Sequence, residues 1–241
     1  LNKEGIDLLV AFLDNEDNVA RKNFDLDLSN IEISAPKGII ALAQAMKGRT
    51  NIEVLNLSNT KMSLTSLSHI MPALENNSTL KHLNLSNNPL LGSGPILISK
   101  GGAEVGTEDN SIARNTCANA EKEMWEEIMK GFKNLTYLNY SNNGVTHAFV
   151  QKFFAPYIEN KLKLSYLDLN GNQITGKDAS HLASACYNRN KNATAATLVI
   201  RLENNLIPIK GEFNFNVEFL RKAFAQCENI QVQLDPQPDP H

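Results

Sequence analysis

The sequence has no strong charge imbalance and no long apolar run. Its 23 Lys and Arg residues nearly balance 26 Asp and Glu residues, which gives a formal net charge of −3. A chain this close to neutral lacks the basic field that attracts nucleic acid or an anionic membrane surface. No apolar stretch approaches the roughly 20 residues needed to cross a bilayer. We therefore expect neither a nucleic-acid partner nor a membrane partner.

Cysteine is also scarce. The three cysteines, Cys117, Cys186 and Cys227, form no CxxC pair and do not cluster with the five histidines at metal-ligand spacing. We expect free thiols in a reducing compartment, no metal and no cofactor. Asn-x-Ser/Thr triplets fall inside predicted strands, where a glycan has no room. With no visible signal peptide, this pattern predicts a cytoplasmic protein.

A short motif recurs along the chain at a nearly constant interval. Its copies begin at Leu26 (LDLSNI), Leu55 (LNLSNT), Leu83 (LNLSNN), Leu138 (LNYSNN), Leu167 (LDLNGN), Ile200 (IRLENN) and, less clearly, Val232 (VQLDPQ). Successive starts are 29, 28, 55, 29, 33 and 32 residues apart. One interval is nearly doubled, and the others indicate seven copies of one structural unit.

The residues of the motif predict a strand and a bend. Alternating leucines point inward from a short strand, and the final asparagine turns into the core to satisfy backbone groups of the bend. That asparagine is Asn88, Asn143, Asn172 and Asn205, whereas Ile31 and Thr60 replace it in the first two copies. Amphipathic helices are predicted between strands, at 39–46, 64–74, 124–132, 149–158, 179–186 and 217–224.

These features together predict an α/β solenoid shaped like a horseshoe. About seven parallel strands would line the concave face and the helices would cover the convex face, because one unit alone cannot bury its apolar side. An N-terminal helix at Ile6 to Leu13 would cover the core of the first unit.

From Phe24 to Leu234 the sequence resembles the ribonuclease-inhibitor-like class of leucine-rich-repeat proteins. The resemblance implies repeats near 28 residues with convex helices. This class includes enzyme inhibitors, GTPase activators, innate-immune sensors and effectors of intracellular bacterial pathogens. The asparagine-rich, cysteine-poor composition favours a bacterial effector, which would be secreted into the host cytosol and act on a host protein.

We expect one leucine-rich-repeat domain over residues 1–241. It would comprise an N-terminal cap at 1–22, an insertion at 91–117 and a tail at 235–241 that contains three prolines. The insertion occupies the doubled interval and predicts a hairpin lobe, with strands at 95–99 and 103–107. A binding role and a spacer role both remain open for it, but Ser99-Lys100 does not match a phosphate-binding loop.

Strand residues between the inward leucines should face the concave side, which makes that surface polar and almost neutral. The proposed protein-binding residues are His82, Tyr137, Asn139, Tyr166, Asp168, Val199, Arg201 and Glu203. Tyr137 and Tyr166 should lie side by side about 4.8 Å apart, as anchors of the kind enriched at interface centres. Alternatively, the tyrosines only pack on each other, and Asp168, Arg201 and Glu203 satisfy one another.

The most consistent function is a module that binds a folded protein through this face. A GTPase-activating protein is the alternative, although Arg21 and Arg49 of the early repeats match no activating motif. A targeting arm of a larger enzyme is a further alternative. We expect no catalytic residue and no small-molecule substrate, since His147 and His181 on the convex helices have no partner spacing that suggests catalysis.

Overall fold

The computed structural model describes residues 3–15, 23–33, 36–47, 51–89, 123–124, 126–129, 131–209, 215–235 and 237. Outside these residues lies the insertion at 91–117, with its predicted hairpin and Cys117. Arg21 and Arg49 lie outside them as well.

The described strands form one parallel sheet in chain order. They are β1 (Phe24–Asp27), β2 (Ile52–Asn56), β3 (His82–Asn84), β4 (Tyr137–Asn139), β5 (Tyr166–Asp168), β6 (Leu198–Arg201) and β7 (Ile230–Gln233). Strand β3 pairs directly with β4 across the doubled interval, with Leu83 opposite Leu138. The predicted α/β leucine-rich-repeat solenoid, with seven parallel strands in register, is confirmed.

Helices alternate with the strands as predicted. They are α1 (Lys3–Asp14), α2 (Pro36–Met46), α3 (Leu64–Ile70) followed by a 3₁₀ turn (Met71–Leu74), α4 (His147–Phe149), a π-helical segment (Val150–Phe154), α5 (Ala155–Asn160), α6 (Gly176–Asn190) and α7 (Val217–Phe224). Residues 123–124 and 126–129 are helical as well. Helix α6 begins three residues before the predicted start at 179, because Thr175 and Asp178 form a capping box there. The π-helical segment was not predicted.

The inward leucines build a continuous core between the sheet and the helices. Leu55, Leu83, Leu138 and Leu167 are aligned across four neighbouring strands, and each is 0% exposed. Burying a leucine side chain is worth about 1.5–3 kcal/mol. The same small contribution is therefore repeated in every layer of the solenoid.

Buried asparagines connect successive layers, and we call Asn88, Asn143, Asn172 and Asn205 the asparagine ladder. The amide nitrogen of Asn172 donates to the carbonyls of Tyr140, at 3.1 Å, and Leu169, at 2.9 Å. Its oxygen accepts the backbone N–H groups of Asn143 and Val145. Asn88 and Asn205 likewise bond backbone groups of their own repeat and the preceding one, and Asn143 bonds groups of the preceding repeat, which explains the residue type.

The ladder ends in residues other than asparagine. Thr60 occupies this position in the second repeat, where its hydroxyl donates to the Leu57 carbonyl at 2.8 Å. At the other end, Gln237 is buried and accepts the backbone N–H of Asn205 at 2.9 Å. Gln237 falls in the segment predicted as a tail, yet it lies five residues after Val232, as Asn88 lies five after Leu83. It therefore extends the ladder by one repeat.

Candidate concave binding surface

The outward side chains of the strands form columns on the side of the sheet away from the helices, which we call the concave face. His82, Tyr137, Tyr166 and Val199 are neighbours in the first column. In the second column, Asn139, Asp168 and Arg201 are neighbours. Glu203 follows in the third column, where its carbonyl accepts the N–H of Gly171. The predicted site residues thus lie together on one face, and their role in binding remains a prediction.

Three aromatic rings stack along the first column, and we call His82, Tyr137 and Tyr166 the aromatic stack. The ring centroids of His82 and Tyr137 are 5.4 Å apart, with an interplanar angle of 25°. Those of Tyr137 and Tyr166 are 4.6 Å apart and parallel. The two tyrosines are half-buried and His82 is exposed. The tyrosines therefore pack on each other and remain partly exposed to solvent.

The Tyr137 hydroxyl keeps its proton. Burial, followed by the neighbouring Tyr166 and Asp168, raises the pKa of this phenol above its ordinary value. Among the residues that the structure describes, the hydroxyl has no hydrogen-bond partner. It is available to a ligand as a neutral donor.

Two outward asparagines of the second column, Asn84 and Asn139, have a defined orientation, and we call them the asparagine row. The side-chain oxygen of Asn84 accepts the backbone N–H of Ser86 at 3.1 Å, and that of Asn139 accepts the N–H of Ser141 at 3.0 Å. These bonds direct each oxygen to its own bend. Within the described ranges, neither amide nitrogen has a hydrogen-bond partner. The asparagine row therefore presents amide donors, while its acceptor oxygens are engaged in the bends.

An ionic cluster flanks the aromatic stack. The Arg201 guanidinium donates to Glu203 at 3.0 Å through Nη2, and it reaches Asp168 at 3.5 Å through Nη1. Tyr166 is in polar contact with both Asp168 and Arg201. The three charged residues form the predicted mutually satisfied network. Because two carboxylates share one guanidinium, the cluster carries one excess negative charge when all groups are ionised.

The surroundings shift the titration of this cluster. Burial raises the pKa of the Asp168 carboxyl, and the N–H of Asn170 and the Arg201 guanidinium offset only part of that effect. Hydrogen bonds to Glu203 raise the pKa of the Arg201 guanidinium above its ordinary value. The guanidinium therefore stays protonated and holds both carboxylates.

The concave face is acidic, and the expectation of an almost neutral surface is wrong. Its three outward columns hold one guanidinium, that of Arg201, against five carboxylates: Asp25, Asp27, Asp168, Glu203 and Asp235. The backbone N–H of Ser29 is the main group that lowers the pKa of Asp27, so this exposed carboxylate is ionised. Asp235 is paired with Arg221. The uncompensated charge lies at β1 and in the ionic cluster.

The convex side contains a histidine contact that sequence analysis did not predict. His147 Nδ1 contacts the carboxylate of Asp178, which is buried and also accepts the Thr175 hydroxyl at 2.8 Å. His181 lies beside it and contacts Gln151 at 3.0 Å. The contact joins residues 31 positions apart on neighbouring repeats, a relation that no local motif reveals. Asp178 caps the N-terminus of α6, and His147 is the first residue of α4. The contact between them therefore joins two repeats.

Arg189 is a second structural residue that sequence analysis missed. Its side chain is 1% exposed, and its guanidinium donates to the carbonyls of Leu162 at 2.9 Å and Leu164 at 2.8 Å. It also donates to the carbonyls of Ile158 and Lys161, at the end of α5. A cation placed at the C-terminus of a helix is favoured by the helix dipole.

In the described part of the chain, no group of three or more His, Cys, Asp or Glu residues is placed to hold a metal ion. Nor is any described helix long and apolar enough to cross a membrane. Cys186 and Cys227 are buried free thiols, and burial raises the pKa of both.

Comparison with known proteins supports the repeat architecture. The family model described as Leucine Rich Repeat matches residues 79–100 and 163–185, which contain β3 and β5. No curated protein matches the chain. Together with the parallel sheet, the two matches identify an α/β leucine-rich-repeat solenoid. Repeats of this kind commonly serve in protein interaction.

Proposed function

We propose that this chain is a protein-interaction module that binds a folded protein partner through its concave face. The observation that carries the proposal is the half-buried aromatic stack. It lies beside the amide nitrogens of Asn84 and Asn139, which have no hydrogen-bond partner among the residues that the structure describes. The stack is held on core strands, and rigid aromatic side chains lose little conformational entropy on binding. Tyrosine is also among the residues most enriched at the energetic centres of interfaces.

A pull-down tests this proposal. The intact chain is used as bait in a cell lysate, captured proteins are identified by mass spectrometry, and the double variant Tyr137→Ala, Tyr166→Ala is compared with wild type. Loss of the stack should weaken binding by at least about 2 kcal/mol, the usual threshold for a binding hot spot. Folding should persist, because these side chains lie outside the leucine core.

Tyr187 supplies a matched control, since it is a tyrosine exposed on the convex helix α6. Tyr187→Ala should leave binding of the captured partner unchanged. If Tyr187→Ala weakens binding while the concave double variant binds normally, the partner occupies the convex side and the proposal is wrong.

The nearly constant repeat interval supports membership of the ribonuclease-inhibitor-like class. The composition supports a role as a bacterial effector in the host cytosol, for which a translocation reporter fused to the intact chain is the test. No described observation favours GTPase activation or a targeting role.

A further inference from the structure

The hydrogen-bonding groups on the concave face define what a ligand must supply. Asn84 and Asn139 lie on adjacent strands, with their side-chain oxygens engaged in the bends and their amide nitrogens unpartnered among the described residues. Tyr137 adds a neutral hydroxyl in the neighbouring column. Buried polar groups cost free energy unless they are paired. A ligand that covers this face must therefore bring hydrogen-bond acceptors.

Because the concave face is acidic, the hydrogen-bond acceptors of a ligand must be uncharged or must have cationic groups beside them. The two carboxylates at β1, those of Asp25 and Asp27, and the excess charge of the Asp168, Arg201 and Glu203 cluster repel phosphates and acidic side chains. In a protein ligand, the abundant neutral acceptor is the main-chain carbonyl. A helix already uses its carbonyls internally, whereas an extended segment leaves them available.

We infer that the concave face binds an extended, lysine- or arginine-containing segment of its protein partner. The main-chain carbonyls of this segment accept hydrogen bonds from the asparagine row, and its cationic side chains pair with the carboxylates at β1 and β5. This inference rests on the proposed function and specifies the chemistry of the bound element.

The distance between the carboxylates at β1 and β5 predicts how far apart the basic residues of the bound segment lie. Four inter-strand steps separate β1 from β5, which is about 19 Å at roughly 4.8 Å per step. An extended chain advances about 3.3 Å per residue. Two basic residues that are roughly six positions apart would therefore reach both acidic ends while the segment between them crosses the asparagine row.

The test uses a phage-displayed library of random 12-residue peptides, panned on the intact chain. Enriched peptides should carry two Lys or Arg residues roughly six positions apart. A synthetic copy of the leading peptide should bind at least tenfold more weakly to Asp25→Asn, Asp27→Asn and should lose affinity as salt concentration rises. Binding to the convex control Tyr187→Ala should equal wild type.

A second double variant separates hydrogen bonding from general attraction of charge. Asn84→Asp, Asn139→Asp keeps the acceptor oxygens and the side-chain shape, removes the amide donors and adds negative charge. If the donors recognise carbonyls, this variant should bind the peptide at least tenfold more weakly. If only charge attracts the peptide, the variant should bind it more tightly, and that result would overturn the inference. Thermal melting checks that the variant is folded.

The remaining outcomes distinguish this inference from the proposed function. Enrichment of acidic peptides, or no enrichment, overturns the extended basic segment. If the pull-down partner nevertheless depends on Tyr137 and Tyr166, the proposed function stands and the partner presents a different element. If the partner is indifferent to those tyrosines, both are overturned.

Discussion

Asparagine occupies two positions of the same repeat, four residues apart, and its environment differs between them. Asn88 is 0% exposed, and its oxygen accepts two backbone hydrogen bonds, from the N–H groups of Thr60 and Met62. Asn84 is half-exposed, and its amide nitrogen has no partner among the described residues. The same side chain therefore stabilises the fold at one position and remains available for recognition at the other.

The largest expected effect is a difference between Asn88 and Asn84 in what each side chain contributes to the free energy of unfolding. Asn88→Ala leaves two buried backbone donors without their acceptor, the N–H groups of Thr60 and Met62. At about 1–3 kcal/mol for each unsatisfied group, the free energy of unfolding should fall by roughly 3 kcal/mol or more. Asn84→Ala should lower it by about 1 kcal/mol or less. Urea denaturation of both variants measures the difference, and equal losses would show that the comparison is wrong.

A smaller effect is expected at the end of the ladder. Gln237→Ala removes a donor to the Leu202 carbonyl at 2.8 Å and the acceptor of the Asn205 N–H. The expected cost is about 1–3 kcal/mol, concentrated in the last repeats because each repeat contacts only its neighbours. Hydrogen exchange should accelerate in β6 and β7 and stay unchanged in β2.

Gln233→Ala is the control for that variant, since Gln233 is an exposed residue of β7. If Gln233→Ala accelerates exchange in β6 and β7 as much as Gln237→Ala does, Gln237 is a tail residue and does not extend the ladder.

The smallest effect concerns Asp27 and acidity. The Ser29 N–H is the main group that lowers the pKa of Asp27 in the folded protein. The Asp27 carboxylate therefore stabilises the fold at pH values above its unfolded pKa of about 3.9. That stability is lost as the pH falls through the lower pKa of the folded protein. Asn56 makes the same turn bond without titrating. Asp27→Asn should therefore melt slightly below wild type at pH 7, with the difference closing toward pH 3. A difference that grows on acidification would contradict this assignment.

The repeat period made the fold and the surface columns predictable. Because alternate strand residues face opposite sides, the spacing of the leucines placed Tyr137 beside Tyr166 and Asp168 beside Arg201 without further information. The alternation does not predict which atom of an outward side chain is engaged in a hydrogen bond. The bond from the Ser141 N–H to the Asn139 side-chain oxygen is seen only in the structure of the bend.

Two of the missed features depend on contacts between repeats that do not recur among the described residues. Arg189 and the contact between His147 and Asp178 each occur once, so periodicity gives no signal for them. Gln237 was hidden by the prolines around it, although its spacing from Val232 matched the ladder. The acidic surface required only a count of charges along the predicted columns.

The central claim is that the partner covers the concave face, and hydroxyl-radical footprinting of the intact chain with and without the captured partner tests it most directly. Oxidation of Tyr137 and Tyr166 should fall in the complex, while oxidation of Tyr187 on the convex helix α6 should not change. Protection of Tyr187 with undiminished oxidation of Tyr137 and Tyr166 would contradict the account.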